Sequence, residues 1–259
     1  MNLIDIGVNL MNPVFDKDRH AIIAAAQKAG VKKIIITGSS IESSIAAAKF
    51  AKENSYCKAT AGVHPHNAKN WNKEAADQLR ELLLLDVVVS AGECGLDYNR
   101  NFSPPAAQRL CFENQLALAA EFQKPVFLHE REAFEDFYLI LKQYRSMLQG
   151  AVVHCFTGTA AQLDAYLALD LYIGITGWVC DERRGSGLIP MIKKIPSDRL
   201  LLETDAPYLF PRNMPYHKKN GRNEPAFLPH IANFIAETIG KEPEQTAEET
   251  TANAERLFF

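Results

Sequence analysis

The sequence predicts an α/β protein built as a (β/α)8 barrel of the TIM type. Three observations carry that prediction. Short apolar runs rich in β-branched residues alternate with longer segments of helical period, the alternation repeats along the whole chain, and the runs number eight. Because the runs are nearly continuous in apolar character, they read as parallel strands covered by helices. The 259 residues, 47% of them hydrophobic, match the length of about 250 that such a barrel needs. The strand candidates are LIDI (3–6), KIIIT (33–37), KATAGV (58–63), VVVSAGE (87–93), PVFLH (125–129), AVVHCF (151–156), LYIGI (171–175) and LLLET (200–204). Between them the helical candidates are 16–29, 40–53, 73–84, 105–123 and 132–146. In QRLCFENQLALAAEF the apolar positions Leu110, Phe112, Leu116, Ala119 and Ala120 give one helix a single buried face. Two further helices, 226–239 and 244–257, separated by Gly240 and Pro243, are expected to pack outside the barrel. No linker or low-complexity run interrupts the pattern, so residues 1–259 read as one domain. A doubly wound open sheet is the competing architecture, and a G-x-G-x-x-G after the first strand, its usual mark, is absent.

A formal net charge of −3 and a pI near 6.2 mean that nothing global attracts polyanions, so a nucleic-acid partner would need a local basic site or a metal. Five scattered cysteines, Cys57, Cys94, Cys111, Cys155 and Cys180, form no C-x-x-C pair and argue for a reducing compartment. The start, MNLIDIGVNLMN, lacks a basic and apolar leader, and no apolar stretch of 18 residues occurs. A cytoplasmic protein with no membrane partner is expected.

RLLLETDAPYL, Arg199 to Leu209, runs from a buried strand straight into Asp205. A carboxylate there costs several kcal/mol unless it is paired or bound to a cation. Polar residues stand at the same end of the other strands too: His64 and His66 in GVHPHN, Glu93 and Asp97 in GECGLDYNRN, His129 in HER and His154 in VHCFTG. Active sites of barrels lie at that end, and strands about 4.8 Å apart let their terminal side chains converge. Glu93, His129, His154 and Asp205 make a mixed N/O set suited to a divalent ion, which lowers the pKa of bound water and leaves positions open for substrate oxygens. Mg²⁺ is the first expectation, with Mn²⁺ or Zn²⁺ compatible. His64 can serve as base, phosphate contact, ligand or turn residue, and His66 as a substrate contact. His20, His217 and His230 read as ordinary. Arg100, Arg131, Arg183, Arg184 and Arg222 lie in loops that would overhang this face, where they can hold phosphate or pair with Asp181, Glu182 and Glu224. Tyr98, Phe102, Trp178 and Tyr208 stand nearby and can stack unpaired bases or cover core.

The segments AGVHPHN, GECGLDYNRNFS, PVFLHER, VVHCFTGT, GITGWVCDERRG, MIKKIPSDRLLLETDAPYL and RNEPAFLPHI span nearly the whole chain in order. Together they resemble the TatD-type metal-dependent deoxyribonucleases of the amidohydrolase-like barrel superfamily, the nearer match being the bacterial TatD branch through DIGVNL and WVCDERRG. The resemblance implies a monomeric, Mg²⁺-dependent 3′-5′ exonuclease acting on single-stranded DNA and RNA. Glu93, His129 and His154 would be its metal ligands and Asp205 its catalytic carboxylate and a further ligand. His64 and the nearby arginines would hold phosphate. Most relatives end the first strand in H-x-H, whereas this chain reads Gly7-Val8-Asn9, so one tightly held ion is expected in place of a two-metal clamp. The alternative is a metal-dependent hydrolase of amide or ester bonds in a small metabolite or an aminoacyl-tRNA, which the same ligands could serve.

Overall fold

Eight parallel strands follow one another around a single sheet in chain order: β1 (Leu3–Val8), β2 (Val31–Ile36), β3 (Cys57–Ala61), β4 (Val88–Asp97), β5 (Val126–Arg131), β6 (Ala151–Val153), β7 (Tyr172–Ile175) and β8 (Leu200–Leu202). The structure is a computed structural model that describes residues 1–215 and 221–259. Closure comes just beyond β8, where Val8 bridges Ala206. The Asn9 amide donates to Ala206 O at 2.8 Å and the Asp205 amide to Gly7 O at 2.9 Å. The seam of the barrel therefore runs through Asp205 itself.

The intervening helices are α1 (Arg19–Lys28), α2 (Ile41–Glu53), α3 (Lys73–Leu83), α4 (Pro105–Glu121), α5 (Phe134–Tyr144), α6 (Ala160–Ala168) and the single turn α7 (Ile189–Ile192). Local chemistry sets several of their starts: Ser40 and Thr159 head capping boxes for α2 and α6, and the Asn72 side chain accepts from the Ala75 amide at α3. In α4 the buried face read from the apolar positions holds at Phe112, Leu116 and Ala119, with Ala120 half-buried against the core, and fails at Leu110. Leu110 is 57% exposed, while Gln108 and Gln115 are buried. Gln115 has a backbone partner inside, donating to Val63 O and accepting from the Val63 amide, so an amide takes a core place that hydrophobicity alone would have given to a leucine.

Ile4, Ile6, Ile35, Val89, Phe127, Val152, Tyr172 and Leu201 fill the barrel interior, and Ala254, Leu257 and Phe258 complete the same cluster. Those last three belong to α9 (Pro243–Phe258), which therefore closes the N-terminal end of the barrel. The Asn253 side chain fastens it by donating to Ser197 O and Leu200 O. This corrects the expectation that both tail helices pack outside. α8 (Leu228–Ile239) does lie on the outer layer, through Leu228, Ile231, Ala232 and Ile235. With that end plugged, the C-terminal mouth is the end of the barrel left open to a ligand among the described residues. No helix among the described residues is long and apolar enough to cross a membrane.

Asp5 on β1 is wholly buried, accepting from the Thr204 amide at 2.9 Å and its hydroxyl at 2.6 Å. Burial is the largest influence and pushes its carboxyl up to about 8. The folded state then keeps a proton that the unfolded chain has lost from its ordinary value of 3.8 upward, so this group's contribution to stability falls as pH rises from about 4 to 8. An Asp5→Asn variant carries no such penalty. Urea titrations across that range should show its stability relative to the parent improving by on the order of 1 kcal/mol per pH unit at most. A difference independent of pH would mean that Asp5 is ionised in the fold.

Candidate metal centre

β4 is the longest strand, and it carries Glu93 and Asp97 past the rim to meet residues from β3, β5 and β6. Glu93 Oε1 is the point of convergence. It lies 2.8 Å from His154 Nε2, 3.1 Å from His129 Nδ1 and 3.5 Å from His64 Nε2. His129 Nδ1 and His154 Nε2 are themselves 3.4 Å apart. Two donor atoms each about 2.1 Å from one divalent ion stand about 3.0–3.4 Å from each other, so these three atoms already have the spacing of neighbouring ligands.

The ring nitrogens facing away from this triangle decide which imidazoles can ligate. His154 Nδ1 faces Glu203 Oε2 at 3.4 Å, and His129 Nε2 stands 3.5 Å from Asp97 Oδ2. Each ring thus has a carboxylate on its outer side and its other nitrogen turned inward, the arrangement found around metal-bound histidines. His64 is different. His64, Glu93 and His129 each offer a ligand atom within 4.8 Å of the others, but His64 Nδ1 accepts the His66 backbone N–H at 3.1 Å. Burial pushes the His64 imidazole down to about 3, so it is neutral, and its one proton sits on Nε2, pointing at Glu93. We read His64 as a donor into the cleft and not as a ligand. His129 Nε2 is buried without a hydrogen bond of good geometry. Two inward-facing ring nitrogens crowded on one carboxylate oxygen at this spacing are what a divalent cation satisfies, so the residues present fit a bound metal.

Charges reinforce one another here. Burial alone would raise the Glu93 carboxyl, but His64 and His154 and hydrogen bonds from His129 hold it well below the usual carboxylate range. Against burial, which lowers them, Glu93 and Glu203 raise the His154 ring well above the ordinary value, and Asp97 and Glu93 raise His129. Across the mouth, burial pushes Asp205 up to about 7, with His154 opposing and Glu93 and Glu203 adding to the rise. Its Oδ1 accepts from Asn9 Nδ2 at 2.8 Å, and its backbone is left-handed at φ 55°.

These groups line one open cleft of about 990 Å³. Of the residues expected from sequence, His64, His66, Glu93, His129, His154, Asp205, Arg100 and Arg131 all line it, as do Phe102, Trp178, Arg184 and Tyr208. His66 Nε2 is 2.8 Å from Asp97 Oδ2. Arg100 and Arg131 have no ion pair among the described residues. Arg222, expected as a substrate contact, is held elsewhere by Asp18 Oδ2 at 2.6 Å and Glu224 Oε1 at 2.8 Å and does not line the cleft. Tyr98 is likewise turned to Asp136. His230 bonds Asn213, His20 packs against Phe50, and His217 lies outside the described residues. Sequence reasoning missed Glu203 as a member of the site and Asn9 as the partner of Asp205. The signal for Glu203 was present in the buried run LLLET, which ends on a second carboxylate.

A model of the TatD related DNase family matches residues 4–259. The chain belongs to this family. A 3'-5' ssDNA/RNA exonuclease TatD from Rahnella sp. (strain Y9602) is 54% identical over 257 residues, 99% of this chain and 98% of its own length. Its counterpart in Cronobacter sakazakii (strain ATCC BAA-894) is 51% identical with the same coverage. Among solved structures, a TatD homologue from Escherichia coli K12 superposes with a TM-score of 0.90 at 28% identity, covering 99% of this chain and 97% of that one. Family membership fits the barrel and the donor set at its mouth.

Binding that exists only in the folded state raises the melting temperature. With Mn²⁺ at about 100 times its dissociation constant the parent should melt roughly 5–10 °C higher, and a Glu93→Ala variant should not respond. An unmoved parent would mean that the cluster holds no cation.

Proposed function

We propose that this protein is a metal-dependent phosphodiesterase, a 3′-5′ exonuclease acting on single-stranded DNA and RNA. The observation that carries this is the triangle of Glu93 Oε1, His129 Nδ1 and His154 Nε2 at the C-terminal mouth of a TatD-type barrel. Polarity and substrate follow the names of relatives identical at about half of all positions. Glu93, His129 and His154 would hold one divalent ion, Mg²⁺ or Mn²⁺ in first place, with Asp205 as a further carboxylate toward it. Such an ion supplies Lewis acidity to a phosphoryl oxygen and a lowered pKa to water.

The side chains do the rest. Asp205, whose Oδ1 is steadied by Asn9 Nδ2, takes the proton of the attacking water. His64 donates its Nε2 proton as a hydrogen bond to a non-bridging oxygen, with His66 beside it at 4.2 Å between ring centroids. Arg100 and Arg131, without an ion pair among the described residues, bind flanking phosphates. Phe102 and Tyr208, each more than half exposed at the cleft, offer faces for unstacked bases, which a duplex would not present. Gly7-Val8-Asn9 supplies no imidazole, so a single resident ion is proposed. All residues in this reading come from one chain, which fits a monomer.

Labelled single-stranded oligonucleotides test it. With a 5′ label and Mg²⁺ or Mn²⁺ the parent should produce a ladder shortening from the 3′ end, and a folded His154→Ala variant should be slower by roughly 100-fold or more. Undiminished cleavage by that variant, or no shortening by the parent, would refute the assignment. Replacing both Arg100 and Arg131 by Ala should weaken binding and flatten the slope of log K against log salt by about 1.4.

A further inference from the structure

Glu203 sits inside the barrel directly beneath the cluster, one residue past β8, and the proposed reaction leaves it without a role. Its carboxylate is completely buried. Oε1 accepts the Cys155 backbone N–H at 2.5 Å, and Oε2 faces His154 Nδ1 at 3.4 Å. The room for it comes from two missing side chains. A Cβ on Gly7 would collide with Glu203 Oε2, and one on Gly174 would come within 2.6 Å of Oε1. On its other side the His154 ring lies on Phe127, with centroids 4.7 Å apart. The imidazole is therefore fixed in plane by stacking and at one nitrogen by a carboxylate, while its remaining nitrogen points at Glu93. A buried charge is costly, and three strands have been shaped to keep this one against a single ring.

We propose that Glu203 is a positioning residue for His154: by accepting the proton on Nδ1 it leaves the Nε2 lone pair as the one the ring presents to a cation. The inference rests on reading Glu93, His129 and His154 as a metal centre. Gly7 acquires a purpose in it. The place a side chain at residue 7 would enter is occupied by the carboxylate that orients the sixth strand's ligand.

Glu203→Gln separates this role from a structural one. The amide keeps an oxygen for the Cys155 N–H but turns N–H toward His154 Nδ1, which must then accept, moving the ring proton to Nε2. Calorimetric titration of the full-length protein with Mn²⁺ should show affinity about 10–100-fold weaker than the parent. Nitrogen-15 spectra of histidine-labelled, Zn²⁺-loaded protein should show the Nδ1-protonated signature for His154 in the parent and lose it in the variant, which a merely structural role would not do. Gly7→Ala displaces the same carboxylate while keeping Glu203 and every proposed ligand, so it should weaken Mn²⁺ binding in the same direction, and it carries the test if Glu203→Gln fails to fold. Parental Mn²⁺ affinity in a folded variant, with the His154 signature unchanged, overturns the proposal. Mn²⁺ binding that is weakened in both variants, by a parent that leaves oligonucleotides intact, refutes the nuclease reading and supports the positioning role. A parent that takes up no Mn²⁺ overturns both.

Discussion

One carboxylate oxygen, Glu93 Oε1, has three imidazoles within 3.5 Å at the mouth of a barrel whose other end is closed. Burying that charge is tolerable only because cationic or hydrogen-bonding partners surround it, and bringing three imidazoles together is tolerable only because the carboxylate is there. The cluster is thus mutually dependent: no member has a stable environment without the rest. Residues at the ends of β4, β5 and β6 and in the loop after β3 meet because these strands are neighbours in the sheet, and Asn9 meets Asp205 only where the last strand returns to the first.

The seam between the first and last strands serves both the fold and the chemistry. The backbone bonds that join Gly7 and Asn9 to Asp205 and Ala206 complete the barrel, and the same few residues place the Asp205 carboxyl and its Asn9 partner over the cleft. A register error there would open the barrel and scatter the site together. Glycine at residue 7 belongs to this economy as well, since it frees the interior layer that Glu203 fills.

Around the inner atoms lies an outer ring of carboxylates, Asp97 behind His129 and His66 and Glu203 behind His154. These orient rings whose lone pairs would otherwise be free to turn away. His64 follows a different rule, its Nδ1 being engaged by a backbone N–H instead of facing a carboxylate. Beyond the ring, the cleft changes character: Arg100 and Arg131, without an ion pair among the described residues, and half-exposed aromatic faces suit a flexible polyanion with accessible bases, in a chain whose overall charge is slightly negative.

The eight strands, the end of the barrel at which function lies, and the donor types Glu93, His129, His154 and Asp205 were legible along the chain, because strand-end position and apolar period are local properties. Leu110, Arg222 and α9 were not. Leu110 lost its core place to glutamines with backbone partners, Arg222 was captured by Asp18 about 200 residues away in sequence, and the apolar face of α9 plugs the barrel because nothing else covers that end. Asn9 needed the closed seam before its partner existed, and Glu203 needed β6, β7 and β8 side by side. Sequence by itself determined which chemistry is available and on which strands. Tertiary structure alone decided which nitrogen of each ring faces inward and which charges are already spoken for, since both depend on contacts between residues that only the closed barrel brings together.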